Sequence, residues 1–75
     1  MNFDKEFDGS GMSCPLPVVK TKKALADMEP GQVLRSISTD CGSVKDMQAF
    51  TAQTGHTLLA STEEGGKYVF YIKKK

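Results

Sequence analysis

Two prolines separated by a single residue, in the run Cys14-Pro15-Leu16-Pro17, constrain this chain more than any other feature. Proline has no backbone N–H and clashes with the preceding turn, so it breaks a helix interior. In the first turn it removes only a donor that lacks an intrahelical partner anyway. The run therefore predicts a helix starting at Pro15, with Cys14 at its N-cap. Val18, Thr21, Leu25 and Met28 follow at spacings of three and four, which makes one helical face, and Pro30-Gly31 ends the helix after Met28. Lys20, Lys22 and Lys23 fall mostly off that stripe.

The rest of the chain supplies strands and a second helix. Phe3 to Asp8 predicts a short strand with Phe3 and Phe7 on one side, interrupted by Lys5, and Asp4 and Glu6 on the other. Asp8-Gly9-Ser10-Gly11 is a turn leading to the proline run. Gln32 to Thr39 carries the β-branched Val33, Ile37 and Thr39, although Ser36 and Ser38 blur its alternation. Ser43 followed by Asp46 matches an acidic variant of the capping box. A helix with Val44, Met47, Phe50 and Thr54 on one face follows, stopped by Gly55. Thr57 to Thr62 and Lys67 to Lys73 predict two strands joined through Gly65-Gly66, the second alternating Tyr68, Phe70 and Ile72 against Val69 and Tyr71. The order is βαβαββ. Helices with one apolar face each imply an α/β (α+β) two-layer sandwich, both helices covering one face of a four-stranded mixed sheet and the other face more exposed.

Seventy-five residues hold one core, so residues 1–75 read as a single domain. Ten Lys and Arg against nine Asp and Glu leave a net charge of +1, far from the basic balance of nucleic-acid binders, and no direct nucleic-acid contact is expected. No apolar run approaches the roughly twenty residues that span a bilayer, and Met1 to Glu6 lacks the apolar stretch of a signal peptide. A cytoplasmic monomer without membrane insertion is the expectation. Cys14 and Cys41 are too few for a disulfide framework, and with His56 they fall short of a zinc set, so neither metal nor cofactor is expected.

A thiol at a helix start faces unpartnered N–H groups and the positive end of the macrodipole, which favour its anion. Such cysteines titrate lower than ordinary thiols. With Pro15 and Pro17 lacking donors, Leu16 and Val18 are the natural groups to face Cys14. No Cys-x-x-Cys pair is present to resolve a mixed disulfide, which weakens a dithiol oxidoreductase reading. Two readings remain from local chemistry: a lone acidic thiol suited to holding sulfur as a persulfide, or a small apolar residue closing the first turn.

The run from Gly11 through Cys14-Pro15-Leu16-Pro17-Val18-Val19-Lys20-Thr21-Lys22-Lys23-Ala24 to Leu25 resembles the signature of the TusA/SirA-like sulfur-carrier family. Asp8, Met28-Glu29-Pro30-Gly31, Thr39-Asp40, and Asp46-Met47 with Phe50 extend the resemblance over nearly the whole chain. It implies the fold read above, with Cys14 as the sulfur-bearing residue and Pro15 and Pro17 shaping its presentation. It also implies a sulfurtransferase-type carrier working with partner enzymes. The donor would be a cysteine desulfurase or a rhodanese-like protein, and the acceptor a protein of tRNA thiolation, molybdenum-cofactor assembly or sulfur oxidation. Some relatives work beside a thiosulfate-transporting membrane protein, so the alternative is a regulatory or transporter-associated interaction module.

Cys41 stands where many members have proline. It reads as a small side chain in a turn, or as a secondary thiol able to receive sulfur or bridge to Cys14. Lys20, Lys22 and Lys23 form either a solvated helix face or a rim that steers an acidic partner. His56 is a conceivable base but fits a turn residue better, and Lys73-Lys74-Lys75 reads as a plain chain end.

Overall fold

The computed structural model describes residues 2–11, 16–39 and 42–75, with 16 and 17 as backbone only. Its elements are β1 (Lys5–Gly9), α1 (Leu16–Ala26), β2 (Val33–Ser38), α2 (Ser43–Thr54), β3 (Thr57–Glu64) and β4 (Lys67–Lys73). The strands form one sheet in the order β1-β2-β4-β3, with β1 parallel to β2 and the other pairs antiparallel. The expected βαβαββ mixed-sheet sandwich is what the chain adopts.

β2 is the strand whose inward face the sequence left open. Leu34, Ser36 and Ser38 point to the helices and are fully buried, while Arg35 and Ile37 point away. Serines occupy core positions because each has a hydroxyl partner on a helix. Thr21 Oγ1 of α1 lies 2.9 Å from Ser36 Oγ, and Ser43 Oγ of α2 lies 2.6 Å from Ser38 Oγ. These two pairs fasten both helices to one strand. Around them Leu25, Met28, Leu34, Met47, Phe50, Phe70 and Ile72 form the core cluster. Thr21→Val leaves the Ser36 hydroxyl buried without a partner and is expected to cost about 1–3 kcal/mol. Thr21→Val with Ser36→Ala recovers part of that loss, because neither hydroxyl is then stranded. Urea denaturation of the two variants reads the difference.

Three expectations about individual side chains change. Ser43 does not cap α2: the N-cap is Gly42, without a side-chain hydrogen bond, because the Ser43 hydroxyl is committed to Ser38. Phe3 and Phe7 do not share a side. The chain bends at Asp4, whose Oδ2 accepts the Val33 N–H at 2.8 Å, and this breaks the alternation before β1 begins. Phe7 packs on the core, whereas Phe3 lies over the opposite face, 6.4 Å from the Tyr71 ring and under the Arg35 guanidinium, which is paired with Glu6. That face is less bare than the sequence implied, since Ile37 and Val69 on it are buried.

The third change concerns the lysine run. Lys74 Nζ donates to the Leu25 carbonyl at 2.6 Å, placing a cation at the negative end of α1. Its N–H donates to Gln32 O at 2.8 Å, and its carbonyl accepts from Gly31 at 3.0 Å. Sequence alone could not show this, because β4 reaches the end of α1 only by pairing with β2. As expected, Gly55 closes α2 in the left-handed region (φ 84°), donating to Thr51 O at 3.0 Å. Gly65 and Gly66 both have positive φ (56° and 83°), as a type I′ hairpin turn requires. β3 runs on to Glu64, past the expected end, with a bulge between Leu58 and Ala60.

Candidate functional site

The parallel pair β1 and β2 determines where the site can be. Parallel strands end at the same edge of a sheet, and the last register pair here is Gly9 with Ser38. Both helices start from this edge, α1 at Leu16 and α2 at Ser43. Gly9 accepts no larger side chain, since a Cβ would lie 2.8 Å from the Ile37 carbonyl oxygen. Just beyond it, Asp8 Oδ1 accepts the Ser10 N–H at 2.9 Å. The Ser10 side chain and the Ser10 N–H hold that carboxyl below its ordinary range. Lys67 and Arg35 add positive charge. Gly11, with φ 82°, then donates its N–H to Thr39 Oγ1 at 2.9 Å.

Cys14, Pro15 and Cys41 lie outside the described residues, and Pro17 is described in backbone only, within the first turn of α1. What the fold does place is the chain on either side of each cysteine. Cys14 is two residues before Leu16 and three after Gly11; Cys41 is two residues after Thr39 and two before Ser43. The leading N–H groups of a helix have no intrahelical partner, and in the first turn of α1 these are Leu16 and Val18, with Pro17 contributing none. Such a set attracts an anion.

Lys20, Lys22 and Lys23 are exposed on α1. Val19, 41% exposed, sits among them at helical spacings of three and four from Lys22 and Lys23. Sequence reading missed Val19, because an apolar residue off the buried stripe shows its exposure only once the helix is packed. Thr39 was missed as well: its signal, a hydroxyl at a strand end, is common and says nothing of a bond to a residue 28 positions away.

His56 is at the other end of the molecule. β3 begins beside Lys73, and Lys73 pairs with Val33 at the start of β2, opposite the edge where the helices begin. Its Nδ1 accepts the Lys75 N–H at 3.0 Å and its ring lies 5.7 Å from Phe50. Burial, then the charges of Lys74 and Lys75, push the imidazole below its ordinary 6.5. The unfolded chain therefore binds the proton more readily, and this contribution to stability is present above about pH 6.5 and lost as the pH falls below it. The urea midpoint should drop between about pH 7 and pH 5 by more in the native chain than in His56→Asn.

Comparison with known proteins decides what this edge belongs to. The family model described as Sulfurtransferase TusA matches residues 5–74. The chain belongs to the TusA sulfurtransferase family. It is 58% identical over 73 residues to the sulfur carrier protein TusA of Allochromatium vinosum, covering 97% of this chain and 96% of that one. It is 43% identical to the putative sulfur carrier protein YrkI of Bacillus subtilis, with 99% of each chain covered. Among solved structures, the SirA-like protein from Desulfitobacterium hafniense superposes with a TM-score of 0.83 at 26% identity, covering 93% of this chain and 96% of that one. The βαβαββ fold and the family that the sequence resembled are those of this TusA-family chain. None of its described helices is long and apolar enough to cross a membrane.

Proposed function

We propose that this TusA-family chain is a sulfur carrier, a single domain acting in the cytoplasm, and that Cys14 bears the sulfur. The observation that carries the reading is the 58% identity to a sulfur carrier across nearly the full length of both chains. The position in the chain supports it, because Cys14 stands two residues before a helix whose first turn offers unpartnered N–H groups to an anion. In loading, the Cys14 thiolate attacks the outer sulfur of a donor persulfide, and the donor thiolate leaves. Delivery is the reverse in form: an acceptor nucleophile takes the outer sulfur and the Cys14 thiolate is the leaving group.

The donor is a cysteine desulfurase or a rhodanese-like protein, and the acceptor is a protein. Pro15 and Pro17 stiffen the approach to α1. Lys20, Lys22 and Lys23, with Val19 among them, offer a cationic patch with an apolar centre to acidic partner surfaces. A role for Cys41 as a secondary thiol draws support from the Gly11–Thr39 bond, which joins the segments leading to the two cysteines.

Incubation with a cysteine desulfurase and cysteine, or with thiosulfate and a rhodanese, followed by intact mass measurement, tests the reading. The expected product is heavier by about 32 Da, one sulfur atom, and returns to the starting mass with a reductant. Peptide mapping should assign the sulfur to Cys14; a share on Cys41 would show that the second thiol takes part. No adduct with either donor would favour the alternative, a regulatory or transporter-associated docking module.

A further inference from the structure

The sheet face turned away from the helices carries two arrangements of ring and carboxylate, one on each side of Tyr71. Register sets Glu6, Arg35, Tyr71 and Ala60 in one row across that face. On the β1 side the Arg35 guanidinium is paired with Glu6, donates to the Tyr71 hydroxyl at 3.2 Å and lies 5.7 Å from the centre of the Phe3 ring. That side already holds its cation. On the β3 side is a groove of about 430 Å³, lined among the described residues by Ala60, Thr62, Glu64 and Tyr71. It has a ring and a carboxylate too, but Glu64 has no ion pair among the described residues. Lys67, opposite Glu64 in the ladder, does not line the groove, and its charge acts on Asp8.

We infer that this groove docks an extended basic segment of a partner protein, with an apolar side chain against Tyr71 and Ala60 and an arginine against Glu64. The groove follows β3, an edge strand, over the alternate residues Ala60, Thr62 and Glu64, so it matches the side-chain period of an extended chain. It is open to solvent along its length, whereas a small-molecule site buries most of its ligand. Arg35 shows which cation suits this face, since a guanidinium is flat enough to lie over a ring while pairing with a carboxylate. An exposed ion pair adds little affinity, so Glu64 serves mainly to reject acidic segments. Its end of the groove lies at the sheet edge where β1 and β2 finish and both helices begin, and a docked segment runs towards that edge. Docking here is independent of which thiol bears sulfur.

Amide chemical shifts of the full chain, followed by NMR during titration with two capped threonine peptides, test the inference. Both peptides carry a leucine. At the spacing of Glu64 from Ala60, one adds an arginine and the other a glutamate. The arginine peptide should shift residues of β3 and β4 around the groove and bind several-fold more tightly than the glutamate peptide. Glu64→Gln should remove that preference. Thr62→Arg, at an exposed position, places the chain's own cation in the groove and should abolish binding of the arginine peptide while the spectrum stays dispersed as in the native chain. Equal affinity for the two peptides, or no shift at β3, overturns the inference. So does a Glu64→Gln variant that still prefers arginine, or self-association of the chain through β3, which would make a second copy the occupant.

Discussion

Cys14→Ser is expected to take up no sulfur from a desulfurase or a rhodanese, under conditions in which the native chain gains one atom. A persulfide is a sulfur–sulfur bond, and serine offers neither the sulfur nor an anion near neutral pH. The change swaps one small side chain for another at a helix start, so the fold should be retained within about 0.5 kcal/mol. A circular dichroism spectrum and denaturation midpoint like those of the native chain would confirm that chemistry alone was lost. Cys41→Ser is the contrasting variant. Because Cys41 stands before α2 and not at the proline run, its loss should leave loading of Cys14 intact. Equal loading of Cys14→Ser and the native chain would sink the carrier assignment for this residue.

Phe70→Ala should have the largest effect on stability. Phe70 lies on β4, is fully buried, and stands opposite Ser36 on one side and Ser61 on the other. Its small cross-strand neighbours cannot expand into the space its ring would vacate. Removing a buried phenylalanine ring costs about 3–5 kcal/mol. A domain of 75 residues has about 4–11 kcal/mol in total, so the variant should be largely unfolded in modest urea or at moderate temperature. Phe3→Ala makes the comparison informative: that ring is 45% exposed on the opposite face and rests on Tyr71 and Arg35, so its loss should cost much less. A loss below about 1 kcal/mol for Phe70→Ala would mean that the core is not centred on this residue.

Particular residues show how far the sequence reached. Thr21 and Leu25 were legible as a buried stripe because helical spacing is a local property, and both are buried; Met28 is buried as well, but in the turn after α1, which ends at Ala26 and not, as the spacing implied, at Met28. The β4 limits and the Gly55 and Gly65-Gly66 turns were legible for the same reason: period and positive φ are set within a few residues. Ser43 misled, because a hydroxyl before a helix has two competing partners, its own helix or a neighbouring strand. Only the packing of α2 against β2 gives Ser38 the bond. Phe3 misled because the Asp4 side chain took a ladder position and bent the chain. Lys74 looked like a chain end until pairing of β4 with β2 carried it to the last carbonyls of α1.

The candidate site divides in the same way. Sequence by itself determined the thiol and the helix that follows it, since Cys14, the prolines and the apolar stripe are neighbours along the chain. Tertiary structure alone decided that β1 and β2 run parallel, and hence that α1 and α2 start at one edge with Gly11 bonded to Thr39 while His56 sits at the far end. The physical reason is range. Proline geometry, helix-start charge and side-chain period act over a few residues, whereas strand order and the contacts it creates depend on how the whole chain buries its apolar faces.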